Sequence, residues 1–228
     1  MDVLQQRYDA PVVEDCAQSI GATSGARPSG SVGQVSATSF YPTKNLGCMG
    51  DGGAILTASS QYADAARQIR NYGQEKRYFH TVVGMNSRLD ELQAALLRDA
   101  LLPRLHEFTE RRRAIASAYL GSIDNPLIII PPIPPHSRSV YHLFPVLVDG
   151  EREQLRQHLL DHRIESGVHY PTLIPDQPAM KDQACTLVDE LTKARRFANC
   201  ELSLPMHAYL SDEEVMAVVE ACNSWNPR

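Results

Sequence analysis

Apolar residues change their period several times along this chain, and the changes outline its elements. Short apolar runs at residues 11–14, 34–40 and 53–57 read as strands; the first ends in the acids Glu14 and Asp15, and the third follows a glycine-rich turn. Ser59 and Ser60 then precede a stretch in which Ala63, Ala66 and Ile69 recur at helical spacing, which predicts a serine-capped helix to about Tyr72. Residues 76–86 read as loop. From about Ser87 to Leu120 a single apolar stripe, Leu89, Leu92, Leu96, Ala100, Leu105, Phe108, Ile115 and Tyr119, predicts a long helix. Pro103 interrupts it; proline lacks an amide hydrogen and collides with the preceding turn, so a bend or break is expected there.

A proline- and isoleucine-rich stretch, residues 125–135, marks entry into a second unit. Strands are expected at residues 140–148 and 164–169, and helices at 151–162, 187–199 and 211–224. The last opens on a Ser-x-x-Glu capping box formed by Ser211 and Glu214. Strands alternating with helices predict an α/β fold in two parts, residues 1–120 and 121–228.

The 228 residues, 43% of them hydrophobic, suffice for one or two cores. A net charge of −5 argues against a nucleic-acid surface. The basic triplet Arg111, Arg112 and Arg113 sits in a helical pattern beside Glu107 and Glu110 and reads as a solvated helix face. Five scattered cysteines (Cys16, Cys48, Cys185, Cys200, Cys222) contain no Cys-x-x-Cys pair, so neither a disulfide framework nor a zinc site is indicated, and no metal is expected. No apolar run approaches the ~20 residues a membrane span needs, and there is no basic-then-apolar leader pattern. A cytoplasmic protein with reduced thiols and no membrane partner is expected.

The chemistry centres on Lys44, in the run Ser39-Phe40-Tyr41-Pro42-Thr43-Lys44-Asn45-Leu46-Gly47. A lysine on a Pro/Gly-bounded turn, with the carboxylate of Asp15 closing an earlier apolar strand, suits a pyridoxal phosphate (PLP) enzyme. The amine bonds the cofactor aldehyde, and the carboxylate keeps the pyridine nitrogen protonated so that the ring accepts electrons. Each residue also has a plainer reading. A lysine is ordinarily a surface charge, and an aspartate after a strand ordinarily caps the next turn. Gln18 reads as polar surface, Ser39 as a strand hydroxyl, Asn86 as a helix cap, and His169 and Tyr170 as strand-end residues. Gly47, Gly50, Gly52 and Gly53 suggest a phosphate loop, but no Gly-Lys-Ser/Thr ends it, so a nucleotide-binding loop is disfavoured.

The words Glu14-Asp15-Cys16-Ala17-Gln18, Ser39 to Gly47, Gly50-Asp51-Gly52-Gly53 and Asn86-Ser87-Arg88-Leu89-Asp90-Glu91 stand in a telling order. Later come Val168-His169-Tyr170-Pro171 and Leu202-Ser203-Leu204-Pro205-Met206-His207. In this order the chain resembles the DegT/StrS sugar aminotransferases, PLP enzymes of the aspartate-aminotransferase fold type, and among them those acting on dTDP-3-keto-6-deoxyhexoses. The resemblance implies transfer of an amino group from glutamate to a keto sugar carried on a nucleotide. It implies Lys44 as the cofactor-bonding and proton-carrying amine, Asp15 on the pyridine nitrogen, Gln18 on the phenolic oxygen and Ser39 on the phosphate. Asn86 would reach the phosphate of the neighbouring subunit in a homodimer with shared active sites, and His169 and Tyr170 would contact substrate. A relative that carries out dehydration has histidine in place of the lysine, so Lys44 favours transamination.

Members of the family carry a long segment ahead of the Glu-Asp-x-Ala-Gln word. It supplies several strands, a Gly-Thr or Gly-Ser phosphate turn and an aromatic residue for the ring. The resemblance therefore implies the C-terminal part of a fold-type-I PLP transferase: part of a large-domain sheet, a long connecting helix and a small α/β domain. Alongside the aminotransferase stands a second expectation, a non-catalytic truncated paralogue acting as a dimerisation or regulatory module.

Overall fold

The computed structural model describes residue 7 and residues 10–184 and 186–227; Cys185 lies outside them. The chain divides into two compact units, Met1–Glu110 with Pro134–His142, and Arg111–Ile133 with Leu143–Arg228.

In chain order the first unit runs β1 (Val13–Asp15), β2 (Thr23–Ser24), β3 (Arg27–Pro28), β4 (Val35–Ser39), β5 (Gly53–Leu56), α1 (Ser60–Ile69), β6 (Gln74–Lys76), β7 (Phe79–His80) and α2 (Glu91–Leu96). It then enters α3 (Leu105–Ser122), and its later stretch adds β8 (Ser137–Arg138). The three strands read from apolar runs form one sheet in the order β1-β4-β5, with β1 parallel and β5 antiparallel to β4.

One face of this sheet is buried and, unexpectedly, polar: Glu14, Ser36 and Thr38 point inward. Each is satisfied. The Glu14 carboxylate accepts from the backbone N–H groups of Gly30 (3.0 Å), Val32 (2.6 Å) and Gly33 (2.6 Å). The Ser36 hydroxyl donates to the Gly30 carbonyl, and that of Thr38 to the Cys16 carbonyl. Burial alone pushes the Glu14 carboxyl up, but the Gly33, Gly30 and Val32 amides outweigh it and hold the group below its ordinary value. The two acids that end β1 thus have separate fates. Glu14 clasps the 30–33 loop, while Asp15 points to the exposed face.

The expected loop at 76–86 is partly structured, since β6 and β7 pair as a hairpin. β2, β3 and β8 form a further small sheet in the order β3-β2-β8, joining Thr23 to Arg138. Neither is announced by apolar periodicity.

α1 begins as expected, with the Ser59 hydroxyl accepting from the Tyr62 amide at 3.4 Å. The long helix is broken, as Pro103 predicts, but the disturbance starts earlier. α2 gives way to a π-helical segment, Leu97–Leu101, and then to a 3-10 segment, Leu102–Arg104, before α3. A π segment adds a residue per turn and rotates everything after it. The apolar stripe slips here: Leu97 is buried beside Leu46 and Cys48, with Leu101 and Leu105 packed on the cluster, while Ala100 is exposed; Leu92, before the π segment, is exposed as well.

The second unit holds β9 (Phe144–Leu147), α4 (Arg152–Asp161), α5 (Thr192–Cys200), β10 (Glu201–Leu204) and α6 (Asp212–Ser224). β9 and β10 pair antiparallel, Phe144 opposite Leu204 and Leu147 opposite Glu201. The strand expected at 140–148 is confined to its second half, because residues 134–142 belong to the first unit. The strand expected at 164–169 is reduced to one bridge, Gly167 to Ser203. The helix expected from residue 187 starts at Thr192, after Leu191 in a left-handed conformation (φ 53°).

α6 carries the predicted capping box in full: the Glu214 amide donates to the Ser211 hydroxyl, and the Ser211 amide to the Glu214 carboxylate. Ile115, Tyr119, Val146, Leu155, Leu159, Leu202 and Cys222 make the core. The Tyr119 ring meets Phe144 edge-on at 5.0 Å, its hydroxyl donates to the Pro205 carbonyl at 2.9 Å, and burial pushes its phenol above its ordinary value. Burial likewise pushes the Cys222 thiol up to about 12.

The arginine triplet is not a solvated face. Arg112 is 6% exposed and donates to the Met206 carbonyl at 2.8 Å, and burial pushes its guanidinium down to about 10. Arg111 donates to the Leu210 carbonyl and pairs with Asp212 at 2.7 Å. Both close the 206–212 segment over the helix, a long-range use that spacing along α3 cannot reveal.

Candidate active site

β1 and β4 run parallel, and four of the residues singled out above stand at or after their carboxyl ends along the chain, Asp15 and Gln18 at β1 and Ser39 and Lys44 at β4. Open α/β sheets bind ligands at this end, where strand-end side chains and loop backbones face the same space. Asp15 pairs in register with Ala37, two residues before Ser39. Since alternate strand residues share a face, Asp15 and Ser39 lie on the same one. Strand spacing puts their Cα atoms roughly 8 Å apart. Gln18 is exposed in the turn directly after β1.

Asp15 performs the turn role in addition: its Oδ1 accepts from the Ala17 amide at 3.0 Å. The Ser39 hydroxyl accepts from the Tyr41 amide at 3.2 Å, which leaves its proton available to an outside acceptor.

Lys44 sits on the turn that follows β4, half-buried between exposed Thr43 and buried Asn45. Backbone bonds shape the turn: the Lys44 amide donates to the Tyr41 carbonyl at 2.8 Å, and the Cys48 amide to the Phe40 carbonyl at 2.7 Å. Gly47 lets the chain cross itself here, since any Cβ at this position would collide with the Pro42 carbonyl. Leu46 and Cys48 anchor the turn in the small apolar cluster with Leu97.

Asn45 supplies a second anchor that sequence reasoning missed. Its side-chain amide donates to the Val140 carbonyl at 2.9 Å, and its oxygen meets His142 Nδ1 at 3.2 Å. Nothing local signals this role, because the partners lie far away along the chain.

Asn86 lies between the β6–β7 hairpin and α2. It bridges to Asn71, and its Oδ1 accepts from Arg88 Nε at 2.9 Å. It lines a depression beside β4, β5 and α1 with Thr38 and Phe40, the chain neighbours of Ser39, with Ala37, the register partner of Asp15, and with Arg67 and Arg88. The helix-cap reading is overturned: α2 starts at Glu91 with Asp90 in the cap position. Arg88, unremarked from sequence, stacks its guanidinium 5.4 Å from the Tyr72 ring and stands beside Asn86 as a cation.

His169 and Tyr170 belong to the second unit. The His169 ring is half-buried and meets the largely exposed Tyr170 ring edge-on at 5.3 Å. Also in this unit, His158 on α4 and His162, directly after its last residue, stand one helical turn apart with ring centroids 4.4 Å apart, a spacing that suits a metal pair. Each has a structural partner, the Ala221 carbonyl for His158 and the His158 carbonyl for His162. Among the described residues no group of three metal-ligating side chains comes together, and no helix is long and apolar enough to cross a membrane.

The model of the DegT/DnrJ/EryC1/StrS aminotransferase family matches residues 1–223. The chain belongs to this family. Among its relatives, a dTDP-3-amino-3,4,6-trideoxy-alpha-D-glucose transaminase of Streptomyces venezuelae is 40% identical across the whole of this chain and 60% of its own length. A UDP-2-acetamido-2-deoxy-3-oxo-D-glucuronate aminotransferase of Pseudomonas aeruginosa is 39% identical over 97% of this chain and 60% of its own.

The solved structure of S. venezuelae DesV in complex with a ketimine intermediate superposes with a TM-score of 0.93 at 40% identity, over 98% of this chain and 60% of that one. A DegT DnrJ EryC1 StrS aminotransferase from Brucella abortus gives a TM-score of 0.89 at 32% identity, over 97% of this chain and 58% of its own. This DegT-family chain therefore has the family's fold over its described length and spans about three-fifths of the relatives it matches.

The carboxyl ends of β1 and β4 present a donor set that fits PLP: an amine, a carboxylate, a carboxamide and a hydroxyl, each of a different chemistry.

Proposed function

We propose that this chain carries the cofactor-bonding part of a PLP-dependent aminotransferase. Its reaction passes the amino group of glutamate to a keto-deoxy sugar on a nucleotide, a dTDP-3-keto-6-deoxyhexose being the preferred class. The reading is supported by the family and by the chain positions of Asp15, Gln18, Ser39 and Lys44, at or just after the carboxyl ends of a parallel strand pair. The relatives named above act on dTDP- and UDP-linked sugars, which supports the nucleotide-sugar class.

PLP, when bound, supplies an electron-accepting ring and the aldehyde carbon that takes up the amino group. The protein's part is to hold, orient and move protons. Lys44 Nζ would hold the cofactor and carry the substrate proton; on its carboxyl side the turn is held by Asn45 and by Leu46 with Cys48. The Asp15 carboxylate keeps the ring nitrogen protonated through a charge-assisted bond. Its Oδ1 is turned to the Ala17 amide, which fixes the carboxylate's orientation. Gln18 would bond the phenolic oxygen, and the Ser39 hydroxyl would bond the phosphate. Asn86, as the resemblance implies, acts on the phosphate of a second subunit, and the working form is a homodimer with shared sites. His169 and Tyr170 take the sugar.

The test is chemical. The chain is incubated with PLP, reduced with borohydride, digested and mapped by mass spectrometry. A pyridoxyl group on the peptide holding Lys44 is the expected result, and its absence there overturns the reading. Glutamate should convert the cofactor's absorption band, and a keto sugar nucleotide should restore it.

A further inference from the structure

His169 is the outer member of a three-residue chain that the proposed reaction does not explain. Glu201, at the start of β10, is fully buried, a costly place for a carboxylate unless its oxygens are satisfied. Oε2 accepts from the His169 backbone amide at 2.6 Å, and Oε1 lies 2.6 Å from the hydroxyl of Ser203, itself 4% exposed. The same hydroxyl lies 3.0 Å from His169 Nδ1.

Hydrogen-bond accounting settles the direction. An ionised carboxylate only accepts, so the single Ser203 proton goes to Glu201. The Ser203 oxygen then accepts from His169, and Nδ1 carries the ring proton. In the neutral ring Nε2 is left as an acceptor, and among the described residues it has no hydrogen-bond partner. The ring is seated as well as bonded. Gly167 pairs with Ser203 through both backbone groups (3.1 and 2.7 Å), and a Cβ at Gly167 would lie 2.8 Å from His169 Cε1.

A serine, a histidine and an acid in contact suggest a hydrolase triad, but the order here excludes it. The hydroxyl is buried in the middle, with its proton committed to the acid rather than to the imidazole. No nucleophile faces outward.

We infer that Glu201 and Ser203 are positioning residues that fix His169 as the Nδ1–H tautomer, so that Nε2 accepts a hydrogen bond from a hydroxyl of the sugar substrate. The sugar part rests on the function proposed above. The tautomer part stands on this geometry alone.

The test uses the full chain labelled with 15N-histidine, with the His169 signals assigned by His169→Gln. Two-bond proton–nitrogen correlations in mildly alkaline solution should show His169 as Nδ1–H. Ser203→Ala should move it toward Nε2–H, and Ser203→Thr, which keeps the hydroxyl, should restore it. A wild-type ring in the Nε2–H form, or an alanine variant that folds with the ring unchanged, overturns the relay. Should Ser203→Ala fail to fold, Glu201→Gln read against Ser203→Thr gives the same decision.

In turnover, Ser203→Ala should raise KM for the keto sugar about five- to tenfold, as losing one oriented hydrogen bond does. The glutamate half-reaction should be unchanged. A shifted tautomer with KM for the sugar unaltered overturns the substrate assignment. An intact tautomer signature in a chain that Lys44 labelling shows to be no PLP enzyme refutes the proposed function and leaves the relay standing.

Discussion

The two units solve the problem of burial in opposite ways. The second unit buries Ile115, Tyr119, Val146, Leu155, Leu159 and Leu202 almost completely, closes its loop segment with Arg111 and Arg112, and caps its last helix in full. The first unit keeps polar groups on the inner face of its main sheet and turns apolar ones out: Val13 is 70% exposed and Ile55 56%. Its cohesion comes from directed hydrogen bonds, Glu14 to three amides and Asn45 to Val140, and from one small apolar cluster. The proposed cofactor chemistry sits on the second kind of structure. Directed bonds place a lysine turn and a strand-end acid accurately without surrounding them with hydrocarbon, and so leave the groups open to a charged ligand.

The contrast can be broken or sharpened by substitution. Lys44→Ala should abolish borohydride-fixed pyridoxyl labelling altogether, while thermal unfolding of the chain stays where it was. A large loss of stability would mean that Lys44 holds the first unit together, and the contrast would fail on that side. Leu155→Ala should do the reverse, costing about 2–5 kcal/mol in denaturant unfolding by opening a cavity in the second core, with Lys44 labelling of the remaining folded protein preserved.

Glu14→Gln should cost about 1–3 kcal/mol, since a charged acceptor for three half-buried amides is replaced by a neutral one. The effect has a definite pH sense. The folded carboxyl lies below its ordinary value, so its contribution is full above the unfolded pKa and is lost as pH falls through the folded one. Unfolding free energies measured across the acid range should therefore converge for wild type and variant at the acid end. A gap that widens toward low pH would sink the assignment. Ser211→Ala should have the smallest effect, about 1 kcal/mol from one lost cap, read as a modest fall in midpoint.

Legibility in the sequence followed the range of the forces involved. β1, β4, β5, α1, α4 and α6 all announced themselves, because strand alternation, helical spacing and caps are properties of neighbours in the chain. The Ser211–Glu214 box was read to the residue. The π-helical slip at Leu97–Leu101 was not, since it trades a regular hydrogen-bond ladder for burial of Leu97 against Leu46 and Cys48, which lie far back in the chain. The strand pairs Thr23 to Arg138 and Gly167 to Ser203 were invisible for the same reason. The arginine triplet was misread because its partners, Met206 and Leu210, lie on another segment.

By itself the sequence determined the order of the chemical words, and with it the family, the lysine and the acid that ends a strand. Tertiary structure decided that Glu14 is tied to the 30–33 loop while Asp15 faces outward, that Asn45 and His142 steady the lysine turn, that Arg111 and Arg112 close the 206–212 segment, and that a buried glutamate meets both Ser203 and the His169 amide. The physical reason is common to all four. Register, burial and hydrogen-bond direction depend on which distant segments meet, and no local pattern of side chains encodes that meeting.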